Sequence, residues 1–233
     1  MQSGLVGTSG ICLKQNHYAG MSLEDLRDVK RKFMTEINPK GEVPALVLQD
    51  RDGQRRVLVE SDVCARYFEQ ASANNRSLIP ECPLAASRMQ LAIKTFSSVT
   101  VPMYKLLSNQ DVACDIELTT QLKNELHNFV SVLDKKGGYC VGSQCTLADV
   151  MSGPVLYRMG IGLRRWRGFD LEEEFSRLKE LLQTLLAMPE FQQGLVTDTE
   201  IAGNYEYVAH GGKWNEDGTA LEGRGVSDGV SRL

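Results

Sequence analysis

Nowhere in these 233 residues does an apolar run approach the roughly 20 that a membrane-spanning helix needs. No membrane partner is therefore expected. The opening stretch, MQSGLVGTSG, lacks the basic start and apolar core of a secretory signal, so the cytoplasm is the expected location. Basic excess is absent too. With 26 Lys and Arg against 30 Asp and Glu, the net charge of −4 argues against a nucleic-acid binder that draws its affinity from neutralising phosphates. The six cysteines (Cys12, Cys64, Cys82, Cys114, Cys140, Cys145) are scattered rather than arranged as a small stapled framework, and reduced thiols are expected. Cys140 and Cys145 lie close together, but no second Cys/His pair stands at zinc-ligand spacing, so no metal is expected. His17, His127 and His210 are isolated from one another and from any paired acid, and no internal repeat is visible.

What is present is an ordinary globular composition, 42% apolar and 24% charged, on a chain long enough to bury one large core or two small ones. The hydrophobic period changes near residue 80. Before it, VPALVLQD and QRRVLVES are short β-branched runs around DRDG, which reads as a hairpin with a tight Asp-Gly turn. A helix follows, with Ser61 as its N-cap and Val63, Cys64, Tyr67 and Phe68 on the side toward the sheet. After the polar, Pro-bounded connection ASANNRSLIPECP, helical spacing dominates. Met89, Ala92, Ile93 and Phe96 form one stripe, and Leu118, Leu122, Leu126, Phe129, Val130 and Leu133 a second. Leu171, Phe175, Leu178, Leu181, Leu182 and Leu185 form a third. The expected organisation is a small α/β unit over 1–75, an all-α unit over 83–208, and a Gly-rich, polar, flexible tail over 209–233. Arg158, Arg164, Arg165 and Arg167 cluster around Trp166 and read as a solvated basic loop.

The stretch INPKGEVPAL carries the first functional signal. An X-Pro bond is where a cis peptide costs least, and a cis-Pro44 at the head of a strand turns the backbone of Val43 outward to pair with an extended ligand. Pro44 also fits a plain strand-edge proline. VESD follows, where a strand ends at Glu60 and Ser61 opens a helix whose free N–H groups and positive dipole end suit a carboxylate. Ser61 would be wanted as a cap even without a ligand. The two segments together describe a peptide-like anion gripped along its backbone and at its carboxylate.

That constellation resembles the glutathione transferases, which carry an N-P-x-G-x-V-P-x-L segment with a cis-Pro and an E-S pair opening a helix. A second segment adds to it: GSQCTLADV is similar to the family's G-x-x-x-T-x-A-D segment, in which Thr146 caps a buried helix and Asp149 closes the capping box. The resemblance spans about residues 10–195 and implies a thioredoxin-like glutathione-binding unit followed by the family's all-α unit. It implies that Val43 holds the cysteinyl portion of glutathione, that Glu60 and Ser61 hold its γ-glutamyl end, and that Lys30 lies near its glycyl carboxylate. Within the family, ESDVCARYFEQ followed by SLIPECPLAASRMQLAI is most similar to the omega class. That likeness implies a thiol transferase with a cysteine nucleophile near the N-terminus, acting on small electrophiles or disulfides with glutathione as co-substrate. Often such proteins are dimers, so a homodimer is a further expectation.

Only 37 residues precede Asn38, where the family carries about forty with a first strand and helix. The unit is expected to be incomplete, lacking that strand and helix, or to replace them with SGLVGTSGICLK. Cys12 is the single cysteine near the start and the candidate nucleophile, although its place in the second strand favours a small half-buried structural residue instead. The family lines its second-substrate pocket with the helix that here bears Met103 and Tyr104; core packing accounts for these two as well. The alternative to an enzyme is a non-catalytic module of the same fold, used for dimerisation or protein docking.

Overall fold

The computed structural model describes residues 5–6, 12–13, 37–40, 44–49, 53–71 and 77–211. The chain divides into two compact units, Met1–Arg76 and Ser77–Leu233.

In the first unit, β1 (Leu5–Val6) pairs antiparallel with β2 (Cys12–Leu13), Val6 opposite Cys12. Both strands lie inside SGLVGTSGICLK. A separate hairpin joins β3 (Ala45–Gln49) to β4 (Arg55–Val59), in register from Ala45↔Val59 to Gln49↔Arg55. The expected tight Asp-Gly turn falls on Asp52, which lies outside the described residues. The last pair is Gln49↔Arg55, so residues 50–54 form a longer connection, with Gly53 at φ 77° supplying the left-handed step that such loops use.

Helix α1 (Ser61–Ala71) begins immediately after β4. Cys64 is its buried anchor and its Sγ donates to the Leu58 carbonyl of β4 at 3.7 Å. Val63 and Phe68, expected to face the sheet, are each 42% exposed. A two-stranded hairpin is too narrow to cover both edges of a helix, so only the Cys64 line is buried.

The second unit is helical. It contains α2 (Pro83–Ser97), α3 (Thr100–Ser108), a 3₁₀ turn at Val112–Cys114, and α4 (Asp115–Val132). There follow α5 (Leu147–Arg167), α6 (Leu171–Glu174), α7 (Ser176–Leu186), α8 (Pro189–Gln193) and α9 (Asp198–Ala209). Helix α5 is central and packs on α2, α3, α6, α7 and α9. Its buried residues, among them Ala148, Leu156, Met159, Leu163 and Trp166, surround it rather than form a stripe, as a helix enclosed on several sides requires. Its neighbours show the expected one-sided stripes: Met89, Ala92, Ile93 and Phe96 on α2, Leu122, Leu126 and Phe129 on α4, and Leu178, Leu181, Leu182 and Leu185 on α7 are all buried. Phe96 and Phe129 meet with ring centroids 5.0 Å apart, tying α2 to α4.

Two readings change in this unit. The arginine cluster is the last part of α5, not a solvated loop, and Gly168 at φ 64° ends that helix as a left-handed C-cap. Arg167 turns inward. Its guanidinium donates to the carbonyls of Leu106, Leu107, Asn109 and Ala209, so one cation serves the C-terminal ends of α3 and α9. Arg164 pairs with Asp170 at 2.8 Å, and Arg165 lies over the Trp166 ring. The stretch expected to be tail from residue 209 begins instead as structure: Ala209 is fully buried and accepts from Gln110 and Arg167, while residues beyond Gly211 lie outside the described ones. No helix among the described residues is long and apolar enough to cross a membrane.

Candidate functional site

An antiparallel hairpin puts the start of its first strand beside the end of its second. With Ala45 opposite Val59, the next step in register sets Pro44 at the same end of the sheet as Glu60. Segments 16 residues apart in sequence thus meet at one edge, and the N-terminus of α1 opens there. Pro44, Glu60 and Ser61 are all exposed.

Glu60 has φ 72°, the positive-φ position among described residues that is not glycine. A left-handed backbone at a residue with a Cβ costs about 1–3 kcal/mol and is kept where surrounding structure enforces it, characteristically at ligand sites. Through it β4 passes into α1 across a single residue. The Cys64 N–H donates to the Glu60 carbonyl at 3.0 Å, which makes Glu60 the residue before the helix and Ser61 the first helical residue. Ser61 is therefore not the N-cap expected of it. Glu60, the single residue between β4 and α1, takes the capping position, and Ser61 sits on the exposed first turn.

The turn before β3 reaches the same place. Asn38 is buried and its side-chain oxygen accepts from the Lys40 N–H at 3.2 Å, which folds Asn38–Pro39–Lys40 back on itself. Lys40 Nζ then lies 3.8 Å from Glu60 Oε1. Both side chains are more than half exposed, so the pair is worth about 1 kcal/mol or less, but it shows that Glu60 presents its carboxylate to a cation. Lys40 was missed in the sequence because a lysine inside a turn motif has no periodic or spacing signal. Val43 and Lys30, both assigned to the site by resemblance, lie outside the described residues, as does the Cys12 side chain; of Cys12, the backbone pairing in β2 is what the structure describes.

Of the other described cysteines, Cys64 alone belongs to the first unit. The Cys64 thiol is buried and pushed up by that burial. Cys140 is raised well above the usual thiol range by burial and then by Asp149, and burial pushes Cys145 up to about 12. Cys82 differs: it is exposed ahead of α2, and the backbone N–H groups of Ala85 and Leu84 lower its pKa. No group of three or more metal-ligating side chains occurs among the described residues.

In the helical unit, the Asp149 carboxylate is fully buried and takes three donors. Oδ2 accepts from the Thr146 N–H at 2.8 Å and from the Thr146 hydroxyl at 2.7 Å, and Oδ1 accepts from the Cys140 N–H at 2.7 Å. The carboxylate thus ties the start of α5 to the loop before it. Met103 and Tyr104, adjacent in sequence, part company on α3. Met103 is core at 1% exposure, whereas Tyr104 is 47% exposed at a shallow hollow of about 390 Å³ lined by Thr100, Val101, Tyr104, Lys105 and Ser108 of α3 and Val208 of α9.

No protein-family model matches the chain and no curated protein matches its sequence. Solved structures do. A trimeric glutathione transferase of Leishmania is similar with a TM-score of 0.67 and 19% identity, over 76% of this chain and 40% of that one. The chain thus spans 40% of the length of that protein. Glutathione transferase Omega 3C of Trametes versicolor follows at 0.58 and 22%, over 75% of this chain and 73% of that one. A rice glutathione transferase, solved in complex with glutathione, is similar at 0.65 and 15%, over 76% and 79%. At such identities the likeness is one of fold. The fold is that of the glutathione transferases: a thioredoxin-like α/β unit followed by an all-helical one.

Proposed function

We propose that this chain binds glutathione at the edge formed by Pro44, Glu60 and Ser61 and acts as a glutathione-dependent thiol transferase of omega type. The observation that carries the reading is the register of the hairpin, which sets Pro44 beside a strained Glu60 and an open helix N-terminus. The γ-glutamyl end of glutathione carries a carboxylate and an ammonium on one carbon. The Ser61 hydroxyl and the first N–H groups of α1 suit the carboxylate, and Glu60, which already attracts the Lys40 ammonium, suits the amine. Val43 would pair with the cysteinyl backbone, and Lys30 with the glycyl carboxylate. A Cys12 thiolate would attack the glutathionyl sulfur of a mixed disulfide, forming a Cys12–glutathione disulfide and releasing the substrate as its thiol. A second glutathione thiolate would then attack that bond, regenerating Cys12 and leaving oxidised glutathione. The small electrophile or disulfide would be held by the helical unit, at the Tyr104 hollow.

Titration calorimetry with glutathione tests the binding site. Ser61→Ala is expected to weaken affinity by about 1–3 kcal/mol, roughly 5- to 150-fold, with folding intact. Unchanged affinity in a folded variant overturns the assignment of Ser61, and a mass spectrum of the glutathione-disulfide-treated protein identifies the cysteine that carries the adduct.

A second reading, a non-catalytic module for pairing or docking, is favoured by α2. Leu84 and Leu91, seven residues apart on one helix face, are 71% and 49% exposed. The homodimer expected from the resemblance would use such a face.

A further inference from the structure

Lys40 reaches the Glu60 edge from a turn that is fixed at its base. Asn38 is buried, Pro39 restricts the backbone after it, and the Asn38 side-chain oxygen accepts from the Lys40 N–H. The Lys40 backbone is thus held while its side chain stays in solvent, 69% exposed. Glu60 is fixed by other means. Its backbone is strained at φ 72° and its carbonyl accepts from the Cys64 N–H, so its carboxylate starts from a set position where α1 opens. The two side chains meet at 3.8 Å, Nζ to Oε1, beyond the roughly 2.7–2.9 Å of a short charge-assisted hydrogen bond. An exposed pair of that length exchanges partners easily.

A ligand amine brought within hydrogen-bond reach of Glu60 would share that carboxylate with the Lys40 ammonium, and two like charges a few ångströms apart repel. One of them must leave. Lys40 is the one on a flexible stem that can turn into water, and in leaving it gives up its attraction to Glu60. Resting on the reading of this edge as the γ-glutamyl site, we propose that Lys40 is a built-in rival of the ligand: it holds the Glu60 carboxylate in the free protein and is displaced by a primary amine. It thereby sets the affinity for amine-bearing ligands without binding them. A ligand of the same shape that lacks the amine leaves the Lys40–Glu60 pair in place and meets no rival. Lys40 is not needed for the ligand's α-carboxylate, which the Ser61 hydroxyl and the first N–H groups of α1 suit.

The test is titration calorimetry on the full chain with glutathione and with glutaryl-cysteinylglycine, its counterpart without the amine. Lys40→Gln is expected to tighten glutathione about two- to fivefold, and to leave the amine-free compound unmoved or weaker. Lys40→Arg keeps a cation in the same place and should stay within about twofold of wild type for glutathione. The sign of the glutathione change decides. Equal or lower affinity in a Lys40→Gln variant that is folded by circular dichroism overturns the proposal, and a lower one shows that Lys40 holds the ligand itself. Equal tightening of the amine-free compound by Lys40→Gln, or of glutathione by Lys40→Arg, overturns it as well. Two failures stay distinct. Glutathione binding by wild type that Lys40→Gln does not improve sinks the rivalry alone, whereas no binding by either protein sinks the γ-glutamyl reading and the rivalry with it.

Discussion

Arg167 is the residue on which the helical unit most depends at a single point. A planar guanidinium donates to several carbonyls at once, and here they are the last carbonyls of α3 and α9, groups that helix geometry leaves without partners. Truncation would strand them in a half-buried place. Arg167→Met is therefore expected to lower unfolding stability by about 2–4 kcal/mol in urea titration. Arg167→Lys should recover only a part, because an ammonium on a flexible stem cannot reach the same set of acceptors together. Full recovery by lysine would show that charge, not the fork, is what matters. Glu60 makes the opposite point. Its backbone is under strain while its side chain is exposed, and no pattern of residue types in VESD announces that conformation.

Among elements, α5 sets the order of the helical unit, and Asp149 sets where α5 begins. The carboxylate replaces water with three donors in a site without solvent, so its removal leaves Thr146 and Cys140 N–H groups buried and unpaired. Asp149→Ala is expected to cost about 2–4 kcal/mol of stability, measured by chemical denaturation, with glutathione affinity of the folded fraction unchanged. A fall in affinity without a fall in stability would show that Asp149 serves a ligand. T-L-A-D was legible as a helix start because a Thr and an Asp three apart satisfy each other locally. That Cys140 is the third partner was not legible, since it depends on the loop over 133–146 folding back.

At the scale of the whole molecule the cysteines report the architecture. Cys82 stands exposed before α2 with its thiol lowered by backbone N–H groups, while Cys64 and Cys140 are sealed in the α/β and helical units. Iodoacetamide at pH 7.5, read by peptide mass mapping, is expected to label Cys82 first among these three, and Cys140 and Cys64 only as the units unfold. Native-state labelling of Cys140 at the rate of Cys82 would contradict its burial. The adduct on Cys12, measured in the same maps, bears separately on the proposed nucleophile.

The sequence by itself determined the helical stripes, the α/β-then-α order and the two motif segments. Periodic apolar spacing, Pro and Gly punctuation and local Thr-Asp pairing are short-range properties that any reader of the chain can count. Tertiary structure alone decided that an arginine cluster read as a loop is a helix end clasping two other helices, that Met103 turns into the core while Tyr104 turns out, and that Lys40 reaches Glu60. Each of those depends on which surfaces lie opposite one another. Contacts between residues such as Arg167 and Leu106, 61 apart, are made by packing and leave no trace in local spacing.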